Sequence, residues 1–169
     1  QPQSVTATSS TGDLMTTDNT TGFYVQMPVE FTNDPDYLVT KQAGFFGIGR
    51  TYTIVTTGST DFTVIGAADS NPGTIFTATG VGAGSGTAQQ TKLFGGVDPG
   101  TDYYITSVTA NTNFSVSTSL GGSNVALATS TGTMQVSPVQ YVYHAIGTFD
   151  STTTVANVAQ TFANNYIDL

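Results

Sequence analysis

His144 is the only histidine of this 169-residue chain, so a Ser–His–Asp hydrolytic site would have to use it. It follows Tyr141, Val142 and Tyr143 in a strand-like segment, and no G-x-S-x-G nucleophile elbow lies nearby. We therefore interpret His144 as a strand or interface residue. Cysteine is absent, which excludes disulfide scaffolds, thiolate metal sites and cysteine nucleophiles.

A pair of carboxylates is the second arrangement that could do chemistry, because glycoside cleavage needs two of them about 5–10 Å apart. The candidates are Glu30, Asp34, Asp36, Asp61, Asp98 and Asp102. Most of the aspartates lie beside Gly, Pro or Asn, where Asp forms turns with its own backbone. The chain also has no Trp on which a sugar ring could stack. We predict that the protein is not an enzyme and has no catalytic residue.

Asp34-Pro35-Asp36 could hold calcium with the help of carbonyl oxygens. A calcium site needs about 6–8 oxygen ligands, and the EF-hand spacing is absent, so we interpret this segment as a turn. The Gly-rich residues 80–88 lack the lysine of a phosphate-binding loop and a following helix, which favours a flexible return loop. We predict no metal site and no cofactor.

Charge is scarce and acidic: three Lys and Arg stand against eleven Asp and Glu, for a net charge of −8. Charged residues are 8% of the chain, compared with about 25% in an ordinary domain. Three basic residues cannot neutralise a phosphate backbone, which excludes nucleic-acid binding. No apolar run approaches the roughly 20 residues of a membrane span, so we expect no membrane insertion.

Two acceptor-type glycosylation sequons are present, at Asn19-Thr20-Thr21 and at Asn113-Phe114-Ser115. They would be used only if the source glycosylates its proteins. The chain begins with Gln1 rather than Met, which we interpret as the start of a processed product or of a piece of a longer protein.

Residues 23–32 show strand periodicity. Val25, Met27, Val29 and Phe31 recur every second residue, which predicts one apolar strand face. Pro28 lies on the opposite face and has no N–H, which favours an edge strand.

An internal repeat has a period of about 51 residues. Both copies have the form G-x-x-Y-x-I followed by T-[DN]-F-[ST]-V, at residues 49–64 and 100–116. Each copy predicts a β-hairpin with a polar connection. Each then leads through a Gly-containing loop to a third predicted strand, at residues 74–80 and 125–129.

The predicted fold is mainly all-β: a short-stranded antiparallel β-sandwich or barrel-like domain with an inserted β module and a short C-terminal helix. The β domain covers residues 1–134. Residues 135–169 form a C-terminal strand and helix that we interpret as an assembly segment. The helix is predicted within 151–167 from the apolar stripe of Val155, Val158, Ala159 and Phe162.

The chain resembles modules of phage virion proteins, especially tail-fibre and related structural proteins of marine and cyanobacterial phages. The first stretch that carries the likeness comprises residues 52–67, 76–80 and 84–88. The second comprises residues 11–13, 27–32, 94–96, 100–105, 114–117 and 131–134. The likeness covers roughly residues 5–134 and implies a β-rich structural part of an assembly. It also implies that the first stretch belongs to a module inserted at about residues 47–92. It carries no catalytic residue.

Short strands with open edges and almost no charge to guard them suit permanent burial against identical copies. We therefore expect a homo-oligomeric or fibrous subunit of a virion tail, fibre or capsid exterior, with other virion proteins or surface glycans as further partners. The extended N-terminal stretch, with Val5 and Ala7, could act as a donor strand for a neighbour's edge. Two alternatives stay open: an extracellular pilus-like filament built by strand exchange, and an adhesin domain that binds glycans at Phe45-Phe46.

Overall fold

A computed structural model describes residues 1–139; residues 140–169, with His144 and the predicted C-terminal helix, lie outside the described part. The strands are, in chain order, β1 (Gln3–Ser9), β2 (Leu14–Thr16), β3 (Pro28–Thr32), β4 (Thr40–Gln42), β5 (Thr51–Thr56), β6 (Ile75–Thr77), β7 (Thr87–Gln90), β8 (Tyr103–Thr109), β9 (Asn113–Ser117) and β10 (Ser130–Pro138). Two 3-10 helices, at Phe62–Ile65 and Phe94–Gly96, interrupt this series.

Six of these strands close into a barrel in the order β1-β10-β3-β8-β9-β2. Every pairing is antiparallel. The predicted class, a mainly all-β antiparallel barrel-like fold, is therefore confirmed.

Alternating side chains of the barrel strands fill its interior. Val29 and Phe31 of β3, and Tyr103 and Ile105 of β8, are almost completely buried. The Phe31 ring meets the Tyr103 ring edge-on at 5.4 Å between centroids, a favoured aromatic geometry. The apolar period-2 pattern thus found the face of β3 that builds the core.

The N-terminal part of that predicted strand was wrong, and so was its place at an edge. β3 begins only at Pro28, and Val25 is exposed in the turn before it. β3 lies between β10 and β8 and is paired on both sides. Pro28 is tolerated because it is the first residue of the strand, where a missing N–H removes little of the ladder.

The other four strands form a second sheet in the order β4-β7-β5-β6. In the chain they lie between β3 and β8, which are neighbours in the barrel, so we call this unit the inserted sheet. Its strands run from Thr40 to Gln90, so β4 precedes the start at about residue 47 that the resemblance implied.

The inserted sheet has its own apolar core, separate from that of the barrel. Four aromatic rings form its centre, with neighbouring centroids 5.0–6.1 Å apart: Phe46, Tyr52, Phe62 and Phe76. The chain enters and leaves this unit at one place, because Leu38 donates to the Gln90 carbonyl at 2.9 Å and Gln90 donates to the Val39 carbonyl at 3.0 Å.

The two copies of the repeat fold differently. The second copy forms the predicted hairpin, β8 paired with β9. In the first copy the hairpin was wrong, because Phe62–Ile65 is a 3-10 helix. Asp61 caps this helix by accepting a hydrogen bond from the Thr63 backbone N–H, and Gly66 ends it with a φ of +107°.

The third strands differ as well. β6 (Ile75–Thr77) lies within the strand predicted at 74–80. Residues 125–129 form no strand, which corrects the second prediction. Leu127 is buried in the barrel core from an irregular segment, and its N–H donates to the Asp13 carboxylate at 3.0 Å. The Leu127 N–H therefore bonds to a side chain, the Asp13 carboxylate, instead of to the backbone of a neighbouring strand.

The N-terminal strand is paired within its own chain, which corrects its predicted role as a donor strand. β1 pairs with both β10 and β2 of its own chain, so that Val5 lies opposite Met134 and Ala7 opposite Thr131 and Thr16. Val5 is fully buried. Since both edges of β1 are used within the barrel, Val5 and Ala7 are not available as a donor strand in this structure.

Candidate functional site

A buried polar cluster joins the barrel to the inserted sheet. Arg50 lies immediately before β5, and Asp34 lies in the loop between β3 and β4. Nη1 of Arg50 donates to both carboxylate oxygens of Asp34 at 3.2 Å. The exposed fraction is 8% for the Arg50 side chain and zero for that of Asp34.

Other donors from both units complete the coordination of the Asp34 carboxylate. The side-chain amide of Gln90 and the backbone N–H of Phe94 each donate to Oδ2 at 2.8 Å. The backbone N–H of Asp36 donates to Oδ1 at 3.0 Å, which forms the predicted Asx-type turn. A buried carboxylate with this many donors is stable only while all of them are in place.

Arg50 reaches the barrel through its remaining contacts. Nη2 donates to the Thr131 carbonyl of β10 at 3.0 Å, and the guanidinium carbon lies 5.5 Å from the centre of the Phe94 ring. Nη1 also lies 3.3 Å from Oδ2 of Asp36. The charge of Arg50 is therefore fully engaged in holding the two units together.

Asp34 and Asp36, the two carboxylates weighed above as calcium ligands, are thus bound to side chains of the protein. Asp34 is saturated as described, and Asp36 pairs with Lys41 at 2.9 Å. Within residues 1–139, no group of three or more His, Cys, Asp or Glu side chains could hold a metal ion. The segment does form the turn that we predicted.

The other candidate carboxylates serve local structure or lie apart from this cluster. Asp61 caps the first 3-10 helix, and Asp98 pairs with Lys92 at 2.9 Å. Glu30 belongs to β3, and Asp102 immediately precedes β8. Within residues 1–139, no helix has the length and the hydropathy of a membrane span.

The sequon asparagines lie at a turn and in a strand. Asn19 Oδ1 accepts a hydrogen bond from the Thr21 backbone N–H at 2.8 Å. Asn113 begins β9 and is paired with Thr109 and Thr16. Both side chains are partly exposed. Their glycosylation stays a prediction.

The structure separates the two rings of the predicted aromatic patch. Phe46 is buried in the core of the inserted sheet, whereas Phe45 is 73% exposed. Consecutive residues here point in opposite directions, so the expected platform of two rings is reduced to one.

A shallow groove of about 430 Å³ is lined by residues of the inserted sheet and of the barrel. Its apolar wall is made by Phe46, Ile48 and Val81 from the inserted sheet. Residues 129–131, at the start of β10, form the other wall, with Arg50 at the base. The backbone N–H of Gly44 donates to the Val81 carbonyl at 2.6 Å, which ties the loop before Phe46 to another residue of the same wall.

Most of the exposed apolar side chains lie on the inserted sheet and its loops. Among the described residues, eleven large apolar side chains are exposed. Eight fall within residues 38–81: Leu38, Val39, Phe45, Ile48, Val55, Val64, Ile75 and Val81. The other three are Tyr24, Val25 and Leu120. Single exposed apolar residues are ordinary, and their concentration on one unit makes the inserted sheet the candidate interaction surface.

A buried tyrosine supports the loop beside the groove. The hydroxyl of Tyr52 accepts a hydrogen bond from the Gly47 backbone N–H at 2.8 Å. The barrel repeats this arrangement, because the Tyr103 hydroxyl accepts from the Asp98 N–H at 2.9 Å. Burial raises the pKa of both tyrosines above its ordinary value of 10.0, and the hydrogen bond opposes part of that rise.

Comparison of the chain with protein-family models, with curated proteins and with solved structures finds no significant match.

Sequence reasoning missed Arg50, Gln90, Ile48 and Val81. Arg50 had a usable signal, since it is the only arginine among three basic residues and precedes a predicted strand. Its partner Asp34 lies 16 residues earlier, a distance that strand periodicity does not connect. Ile48 and Val81 had no such signal, because the groove forms only when residues far apart in the chain meet.

Proposed function

We propose that this chain is a non-enzymatic structural protein, a repeated subunit of a phage virion tail, fibre or capsid exterior. The resemblance of residues 5–134 to modules of phage structural proteins suggests the setting. The physical support comes from the described surface.

The concentration of exposed apolar side chains on the inserted sheet carries the proposal. Eight of eleven lie there, on a unit joined firmly to a closed barrel. Interfaces between protein copies are poor in charge and rich in apolar and aromatic side chains. A net charge of −8 makes copies of the chain repel one another in most orientations. Because only 8% of the residues are charged, neutral parts of the surface remain on which the chain can dock.

Electron microscopy and sedimentation of the purified full chain test self-assembly. We expect regular oligomers or particles that grow with protein concentration. Gold-labelled antibodies raised against the chain should then decorate phage particles in the source sample. A chain that stays monomeric at its highest soluble concentration would contradict the proposal.

The same images distinguish the filament alternative. Helical polymers that contain neither DNA nor a capsid, and that carry the antibody label, would assign the chain to a free extracellular filament instead. The route of polymerisation would then have to use a surface other than β1, since that strand is paired on both sides within its own barrel.

A further inference from the structure

We propose that the inserted sheet undocks from the barrel as one folded unit, with the buried Asp34–Arg50 pair as its latch. The connections at residues 35–37 and 91–92 act as the hinge, since they flank the point where the chain enters and leaves the sheet. The docked arrangement is the one described above, and the undocked one is a minor state. This inference concerns the fold and does not rest on the proposed function.

The two units have separate apolar cores. The buried apolar residues of the barrel and those of the inserted sheet form two clusters with no common member. Within residues 1–139, no strand of one unit pairs with a strand of the other. Separation along the boundary between the units, which we call the seam, therefore leaves both sheets and both cores intact.

The hydrogen bonds that cross the seam are made by polar side chains. Nη2 of Arg50 donates to the Thr131 carbonyl at 3.0 Å. The Ser130 hydroxyl donates to the Ile48 carbonyl at 3.0 Å. Water replaces such bonds when the units part, so each contributes little net free energy to docking. A polar interface between two units of one chain permits their relative motion.

The groove described above lies on this seam. Phe46, Ile48 and Val81 line it from the inserted sheet, whereas residues 129–131 line it from the barrel. Its volume of about 430 Å³ shows that the facing surfaces are not close-packed there. Undocking therefore widens an existing gap.

The latch is a buried ion pair with a further donor. Nη1 of Arg50 lies 3.2 Å from both carboxylate oxygens of Asp34, and the Gln90 amide donates to the same group at 2.8 Å. Arg50 and Gln90 belong to the inserted sheet, whereas the N–H of Phe94 ties Asp34 to the barrel at 2.8 Å. Both charges regain water when the units part, which offsets much of the attraction that they lose. The pair thus fixes the docked orientation and still allows it to open.

Undocking changes how the candidate interaction surface is presented. Eight of the eleven exposed large apolar side chains among the described residues lie within residues 38–81, so they turn with the inserted sheet. A partner that contacts both units would select one orientation through its higher affinity for it.

Thiol labelling of Ser130→Cys tests the opening, because the chain has no other cysteine. Ser130 is 5% exposed and bonded across the seam, so a thiol there reacts when the units part. Ser115→Cys in β9 and Ala88→Cys in β7 are the buried controls, one in each unit. We expect position 130 to react about tenfold or more faster than the controls. Its rate should be nearly independent of urea, whereas the control rates should rise steeply, because only unfolding exposes a large surface.

Asp34→Asn tests the latch. The change removes the charge that pairs with Arg50, and residue 34 does not line the groove, so direct access to position 130 stays the same. Labelling there should accelerate about tenfold or more, as loss of a charge-assisted hydrogen bond predicts. Gln90→Met, which removes another donor to the same carboxylate, should act in the same direction. The matched control Asp98→Asn breaks an exposed pair with Lys92 and should leave the rate unchanged.

Two results would overturn the proposal. A rate at position 130 that depends neither on urea nor on the latch variants would mean that the reagent enters through the groove while the units stay docked. A rate that rises with urea as steeply as the control rates would mean that the seam opens only on unfolding. If Asp34→Asn does not fold, Gln90→Met decides the first case. Neither result bears on self-assembly, which sedimentation decides separately.

Discussion

Nη1 of Arg50 lies 3.2 Å from each carboxylate oxygen of Asp34, at a point where the Arg50 side chain is 8% exposed and that of Asp34 is not exposed at all. One partner belongs to the inserted sheet and the other to the loop that leads into it from the barrel. The pair therefore decides how firmly the candidate interaction surface is held on its barrel.

Removal of Arg50 should be strongly destabilising. Arg50→Met leaves the Asp34 carboxylate buried without its cation, which costs about 3–5 kcal/mol of unfolding free energy. The matched control is Lys41→Met, which breaks the more exposed pair with Asp36 and should cost about 0–1 kcal/mol. Urea denaturation of the two variants measures the difference. Equal costs would show that the buried pair does not hold the units together.

The hydroxyls of Tyr52 and Tyr103 should contribute similar amounts to the unfolding free energy. Tyr52→Phe leaves the Gly47 N–H without its acceptor, and Tyr103→Phe does the same to Asp98. Each change should lower the unfolding free energy by about 1–2 kcal/mol, since the donors are only partly buried. Tyr24→Phe, at an exposed ring, should change it by less than about 0.5 kcal/mol. A cost for Tyr52→Phe no greater than that for Tyr24→Phe would refute the role of this hydrogen bond.

Stability should fall at alkaline pH because of the same two residues. The pKa of Tyr52 and Tyr103 is raised in the folded state, mainly by burial, so the folded protein holds these protons more tightly than the unfolded chain. Their contribution is complete below the unfolded pKa of about 10 and is lost as the pH rises through the folded pKa. The double variant Tyr52→Phe/Tyr103→Phe should lose less stability over that range than the wild type. Parallel pH profiles from thermal unfolding would contradict this explanation.

Gly49 should tolerate no side chain. Its φ is +75°, and a Cβ would lie 2.0 Å from the Thr129 carbonyl oxygen at the start of the groove's second wall. Backbone strain of about 1–2 kcal/mol and overpacking of about 1–3 kcal/mol together predict that Gly49→Ala costs about 2–5 kcal/mol. Gly44→Ala is the control, because its φ is +98° but nothing lies within 4 Å of the added atom. Differential scanning calorimetry should show the larger loss for position 49, and the reverse order would refute the close approach.

The strand pattern of the sequence predicted the core face of β3 because burial alternates there, with Val29 and Phe31 inside. It could not predict where the strand begins. Val25 continues the same alternation, but Gln26 adopts a φ of +71° and turns the chain before Pro28. A turn set by backbone conformation leaves no trace in hydrophobic periodicity.

The repeat shows a second limit. Asp61 and Asn113 occupy equivalent positions, yet one caps a 3-10 helix and the other begins a strand. The deciding residue lies outside the shared pattern, because Gly66 can adopt the left-handed conformation that ends a helix. The second copy has Thr118 at the equivalent distance from its phenylalanine and continues β9 to Ser117. Sequence similarity between the copies therefore carried the buried Tyr and Phe positions but not the secondary structure.

The groove and the buried ion pair were beyond prediction for a related reason. Both depend on contacts between segments more than fifteen residues apart, such as Arg50 with Thr131. The Asp34-Pro35-Asp36 turn was predictable because an Asx turn is a local interaction. The distant partners of the Asp34 carboxylate, Arg50 and Gln90, were not predictable.

The two connections between the barrel and the inserted sheet lie side by side, because Leu38 and Val39 are hydrogen-bonded to Gln90. Because β3 and β8 remain neighbours on either side of it, a different unit of any length could be transplanted there without rethreading the barrel. The exchange has one condition: Asp34 would lose Arg50 and Gln90 together and would have to be replaced as well. The same barrel could therefore carry a different inserted unit, provided that Asp34 is replaced together with the unit that neutralises it.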